Sequence, residues 1–256
     1  DHDGFKVVRE DLMGFGSKCR FGDILVQTCP KDTLVYVQPR YGFAGISLAY
    51  LANKYNKKLV LFSPSQKEIS DHQAICVEMG AEMKFMRIAA MPVLNAHAKK
   101  WAEANNAFFI PLGLKHELVT AAAVKVAHTI AEKHGYPDEV WSAISTGVLQ
   151  RSLQIAWPDA NFHAVAVARN IKKGERGIAE VWSHPKEFTQ NVDPAFNPPF
   201  PSAMNYDAKA WEFMKRNGSP GAWFWNVGGD PKPDDVNTKI LTDSEREWGE
   251  IKMMDM

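Results

Sequence analysis

Apolar runs and helical periods alternate along most of this chain. FKVVRE, DTLVYVQ, KLVLFS, AEMKFMRI, AFFIP, EVWSAIST, NFHAVAVA and GAWFWNVGG are short and apolar, which predicts strands. Between them, SKCRFGDILVQTC, AGISLAYLANKY, VLNAHAKKWAEAN, ELVTAAAVKVAHTIAEKHG, VLQRSLQIAW and DAKAWEFMKRN place apolar residues three and four apart, which predicts helices. In the second of these, Ile46, Leu48, Ala49 and Leu51 are expected to face inward. A further helix is expected over SQKEISDHQAICVEMG, starting after Pro64, with Ser65 and Glu68 as a capping box and Gly80 closing its far end. Residues 170–205 read as irregular and Pro-rich. Strands alternating with helices predict an α/β protein with a parallel sheet, whose ligands bind at the carboxyl ends of the strands.

Composition narrows the function classes. The 256 residues suffice for one large domain or two modest ones. Thirty basic and thirty acidic residues give a formal net charge of zero, so nucleic-acid binding is not indicated by overall charge, although a local basic patch stays compatible with it. No apolar run reaches the ~20 residues a membrane helix needs. The start, DHDGFKVVRED, has no basic-then-apolar secretory pattern, and a cytoplasmic protein is expected. Cys19, Cys29 and Cys76 match no metal-ligand spacing and read as buried or unreactive thiols. No metal site is expected.

The chemistry gathers in a few short stretches. The turn Tyr41–Gly42–Phe43–Ala44–Gly45–Ile46 follows a strand and opens a helix, a place where backbone N–H groups can meet a ligand or where helix and strand merely pack closely. It lies in a series: Val8–Arg9–Glu10–Asp11–Leu12, then Gly16–Ser17–Lys18–Cys19–Arg20, then this turn, then Met79–Gly80–Ala81, with FFIPLG and YDAKAW further on. In order and spacing the series resembles the tryptophan-synthase-β family of pyridoxal-phosphate (PLP) enzymes, the fold-type-II group that includes cysteine synthase, threonine dehydratase and aminocyclopropane-carboxylate deaminase.

The resemblance implies two three-layer α/β domains with mostly parallel sheets. Residues 1–30 and 115–256 would form the larger, cofactor-binding domain, and 31–114 a smaller inserted one. It implies pyridoxal 5'-phosphate as cofactor, a homodimer, and Lys18 as the Schiff-base lysine and general base. Gly42, Phe43, Ala44 and Gly45 would face the cofactor ring, with Phe43 standing where relatives carry an Asn that contacts the 3′-oxygen. Arg40 and Tyr41 replace small hydroxyl residues that bind the substrate carboxylate. Arg40 is then either a fork for that carboxylate or a solvent-facing cation. Ser145, Thr146, Gly147, Val148, Leu149 and Gln150 stand where the family has a glycine-rich phosphate cup, with Arg151 nearby. Ser145 or Thr146 could instead be a plain N-cap. Tyr206 and Asp207 match a tyrosine at the substrate and an acid on the pyridine nitrogen, and Asp207 could equally be only a helix cap. Asn226 is the fallback for that nitrogen.

The implied reaction acts on an amino-acid-type amine, by elimination, deamination or β-replacement. The short segment before the first strand suggests an open site that takes a larger or polymer-attached substrate. The competing reading, from Phe43 and the eroded glycine cup, is a protein of the same fold that binds PLP or another phosphate ligand without turnover.

Overall fold

The computed structural model describes residues 1–13, 15–65, 68–87 and 90–230. The chain divides into two compact units. One comprises residues 1–21 and 115–230, and the other residues 22–114. The division at Phe21 falls inside a helix rather than at residue 30, and the expected end of the larger domain, 231–256, lies outside the described residues.

The first unit holds a parallel sheet of β1 (Lys6–Arg9), β6 (Glu139–Ile144), β7 (Asn161–Ala166), β8 (Glu180–Ser183) and β9 (Trp223–Asn226), in the order β1-β9-β6-β7-β8. Every residue of β6 after Glu139 is buried, as a strand covered on both faces requires. Its alternate residues Trp141 and Ala143 join a core with Trp211 and Met214 of α8 (Asp207–Asn217). Ser142, pointing the other way, donates to Gln150 of α6 (Val148–Ala156) at 3.4 Å, so the two helices cover opposite faces. α6 packs in turn against α5 (Glu117–His134). The stretch read as irregular contains one turn of helix, α7 (Lys173–Arg176), and the edge strand β8. Both are four residues long, too short for a period to show.

The second unit has its own parallel sheet, in the order β4-β3-β2-β5: β2 (Thr33–Val37), β3 (Lys58–Pro64), β4 (Glu82–Met86) and β5 (Phe108–Phe109). Val35, Val37, Val60 and Phe62 pack on Leu94, Ala98 and Ala102 of α4 (Met91–Ala104). Ile46, Leu48, Ala49 and Leu51 of α2 (Phe43–Lys54) are all buried, as their spacing predicts. α3 (Asp71–Glu78) starts later than expected. Its capping box is Ser70 with Gln73, not Ser65 with Glu68, because the Ser65 N–H is spent on the Met86 carbonyl at 2.7 Å, continuing the β3–β4 pairing. Residues 66 and 67 of the expected helix lie outside the described residues. The three cysteines are buried and form no disulfide among the described residues. Among the described residues, no helix is long and apolar enough to cross a membrane.

Candidate cofactor site

In the first unit, α1 (Ser17–Thr28) starts immediately after Gly16. Gly16 has φ of +76°, and a Cβ there would lie 2.5 Å from the Val227 carbonyl oxygen, so the close approach to the end of β9 requires glycine. The Ser17 N–H donates to that same oxygen at 2.9 Å, and the Trp225 indole donates to Ser17 Oγ at 3.1 Å. These contacts fix Lys18 at the carboxyl end of β9. Burial pushes the Lys18 amine below its ordinary pKa, and the nearby Asp207 carboxylate acts the other way. The net direction favours the neutral, nucleophilic amine.

Asp207 opens α8 but does not cap it. Tyr206 holds the N-cap position and makes no side-chain cap hydrogen bond. Asp207 Oδ2 instead accepts from the Val227 N–H at 3.1 Å, with the Gly228 N–H also donating to the carboxylate. Its other oxygen, Oδ1, is buried without a partner. Burial raises this carboxyl to about 8, with Lys18 pulling it down. Asn226, one residue before Val227, donates to Asp11 Oδ1 at 2.7 Å and to the Pro201 carbonyl at 2.8 Å, and its own Oδ1 is a second buried acceptor without a partner. Asp11 is held in turn by a bidentate pair with Arg9, at 2.8 and 2.6 Å. The Tyr206 hydroxyl has its pKa raised by burial and by Asp207, with Arg169 opposing.

The turn after β6 has neither Ser145 nor Thr146 as cap. The N-cap of α6 is Gly147, at φ +75°, and no side chain caps the helix. The opening amides of Val148, Leu149 and Gln150 therefore belong to a helix start suited to an anion. Gln150 is buried, and its Nε2 has no partner. Arg151 turns back on its own helix, donating to the Gly147 carbonyl at 3.3 Å. The cation that braces this turn is Arg169, which sequence reasoning missed. It donates to the Ser145 carbonyl at 2.7 Å and forms a bidentate pair with Glu175 at 2.7 and 3.0 Å. Its only sequence signal is its place just after β7, the strand beside β6.

The glycine turn of the second unit is internally satisfied. The Gly42 N–H donates to Pro39, Gln38 Nε2 donates to the Gly42 carbonyl, and the Gly45 N–H donates to Gln38 Oε1 at 2.9 Å. A Cβ on Gly45 would lie 2.3 Å from that Oε1. Gly45 is thus required by a buried glutamine that supplies the missing cap of α2. The Phe43 ring packs edge-on against His72 at 4.7 Å, and Tyr41 packs on the same imidazole at 6.1 Å. His72 is 6% exposed, and burial lowers its pKa to about 4, so it is neutral. Its Nε2 and the Nε of Arg40 are buried without partners. The Arg40 guanidinium lies 5.3 Å from the centre of the Tyr41 ring.

The first unit's residues fit a pyridine aldehyde phosphate. A depressed lysine, a buried carboxylate with one oxygen to spare and a helix start without a side-chain cap all follow strands of one parallel sheet. Neither a family model nor a curated protein matches the sequence. Solved structures do match. An "ACC deaminase homologue" superposes with a TM-score of 0.76 over 93% of this chain and 88% of its own, at 17% identity. A threonine deaminase from T.th. gives 0.69 over 88% and 87%, at 15% identity. A pyridoxal 5'-phosphate-dependent aspartate racemase gives 0.63 over 90% and 85%, at 11% identity. The chain has the fold of the fold-type-II PLP enzymes. Each of these neighbours spans nearly the whole of it.

Proposed function

We propose that the protein is a PLP-dependent enzyme that acts on an amino-acid-type amine, free or carried on a larger molecule, by elimination, deamination or β-replacement. The observation that carries this reading is the arrangement of Lys18 and Asp207. The amine is depressed by burial, and the carboxylate, 1% exposed, keeps one oxygen without a partner. When bound, the cofactor supplies an electron sink for charge developing at the substrate Cα. Lys18 would carry the cofactor and, once released, hold and return the Cα proton at Nζ. Asp207 Oδ1 would accept from the ring nitrogen and keep a proton there, and Asn226 Oδ1 offers a second acceptor. Ser145, Thr146 and the amides of Gly147 to Gln150 would hold the phosphate. Tyr206 stands next to Asp207 in the chain and would face the substrate. The resemblance in motif order gives Arg40 and Tyr41 the substrate carboxylate, and Gly42, Phe43 and Ala44 the face of the ring.

Two observations favour the second reading, cofactor binding without turnover. The Gly45 N–H is already used by Gln38, and Phe43 has a ring where relatives carry an amide.

Borohydride reduction after PLP loading, followed by peptide mass mapping, is the test. The pyridoxyl label is expected on Lys18 and absent from Lys18→Ala, and a label on another lysine would overturn the assignment. Deuterium exchange at the Cα of added amino acids separates the two readings. Exchange that requires Lys18 supports the enzyme, and labelled protein that exchanges no amine supports binding alone.

A further inference from the structure

The loop that follows β7 is pinned to the turn and helix after β6 at three points. Arg169 grips the Ser145 carbonyl at 2.7 Å. The Glu175 carbonyl oxygen sits where a Cβ on Gly147 would be, 2.0 Å from that position. Gln154 of α6 donates to the Arg176 carbonyl at 2.8 Å and accepts from the Ile178 N–H at 3.1 Å. The loop is therefore held in place beside the proposed phosphate turn.

Its charge is lopsided. Arg169, Lys172, Lys173 and Arg176 share one acid, Glu175. That acid is held ionised, at about 2, chiefly by Arg169, and its Oε2 also accepts from the Lys172 N–H at 2.9 Å. Lys172, Lys173 and Arg176 are exposed, and none makes an ion pair among the described residues. A chain with no net charge thus sets four cations against a single acid on one anchored loop next to its candidate site, with Lys173 and Arg176 outside the charge interactions of Glu175. With zero net charge there is no general attraction to an anionic surface, so the contact must be local. Two point charges and one guanidinium fork on one turn suit a run of phosphates.

We infer that the turn Lys172–Arg176 docks the phosphodiester backbone of a nucleic acid. The docking is independent of the PLP reading and is measurable without it. Neutralising three phosphates predicts a slope of log K against log salt of about −2 for a single strand and about −2.7 for a duplex, with a dissociation constant on the order of 10⁻⁴–10⁻⁶ M at physiological salt.

The test is fluorescence anisotropy of the full chain with labelled single-stranded and duplex DNA across a salt series, beside the variant Lys172→Glu/Lys173→Glu/Arg176→Glu. The proposal expects the variant to bind at least ten-fold more weakly, with a slope shallower by about 2, at unchanged melting temperature. Equal binding by the variant overturns it. So does displacement of the DNA by polyglutamate as effective as by unlabelled DNA, displacement by millimolar inorganic phosphate, or charge-dependent sedimentation with phosphatidylserine vesicles. Borohydride labelling of Lys18 is read on the same samples. A missing label with intact DNA binding would sink the cofactor reading alone, and a label with no DNA binding would sink the docking alone.

Discussion

The Asp207 carboxylate accepts from the Val227 N–H at 3.1 Å through one oxygen and leaves the other, fully buried, without a partner. A buried group with an unused acceptor is a cost to the fold, which a ligand can relieve.

That cost has a pH signature. The Asp207 carboxyl moves from 3.8 to about 8 on folding, so the folded state holds its proton more tightly than the unfolded chain does. Its contribution to stability is complete below about pH 4 and is lost as pH rises through about 8. Asp207→Asn removes the titration. In PLP-free protein, the variant should melt above wild type at pH 8, and the gap should close towards pH 4. Added PLP should reverse the order at pH 8, because only the carboxylate can pair with a protonated ring nitrogen. Thermal melts across this range check both signs, and parallel curves would show that Asp207 does not titrate here.

Arg169 gives a prediction about the phosphate turn alone. Its guanidinium braces the Ser145 carbonyl and the Glu175 carboxylate. Arg169→Ala should free the turn and weaken binding of pyridoxal 5'-phosphate by roughly ten-fold, one decade being about 1.4 kcal/mol. Binding of pyridoxal, which lacks the phosphate, should be unchanged. Equal losses for both ligands would mean a general disturbance of the fold.

Much of this architecture is legible because hydrophobic periods record burial directly. The eight strands expected from apolar runs, and helices such as α2 and α5, stand where those patterns predict. The misplaced start of α3 has a specific cause. SQKE and SDHQ both satisfy the capping-box pattern, and only the pairing of Ser65 with Met86 decides between them. Asp207 was ambiguous for a similar reason: an aspartate before a helical period suits a cap and a ligand equally, and the partner that decides, Val227, is twenty residues away. Arg169 left no trace in any period because its partners are a carbonyl and a loop glutamate. Side-chain chemistry at strand ends depends on which strands are neighbours, and sheet order is not written in local sequence.

Arg40→Ala tests whether substrate recognition, as proposed, is separate from cofactor retention. The Arg40 Nε is buried without a partner, and its guanidinium forms no ion pair among the described residues. A charge-assisted fork to a substrate carboxylate contributes on the order of 1.5–3 kcal/mol. Arg40→Ala should therefore lower apparent substrate affinity by roughly ten- to a hundred-fold. PLP affinity, measured by absorbance titration, should stay as it is. Loss of cofactor would instead assign Arg40 to the phosphate.

Gly45→Ala sets two opposed effects against each other. Within a helix, alanine is favoured over glycine by about 0.8–1.0 kcal/mol. Against this, the new Cβ would come within 2.3 Å of Gln38 Oε1 and 3.1 Å of Cys76 Sγ. Gln38 is fully buried and is held by Gly42 and Gly45, so its amide cannot swing aside without giving up both bonds. Overpacking of this kind typically costs about 1–3 kcal/mol, and it should outweigh the gain in propensity. Gly45→Ala is expected to lower the melting temperature. In a Gln38→Ala background only the Cys76 Sγ contact at 3.1 Å remains, so the same substitution should cost far less, and the double-mutant cycle should be strongly non-additive. Additive effects would mean that Gln38 does not fill the turn. In that case the Gly45 N–H would be free to meet a ligand, as the glycine pattern first suggested.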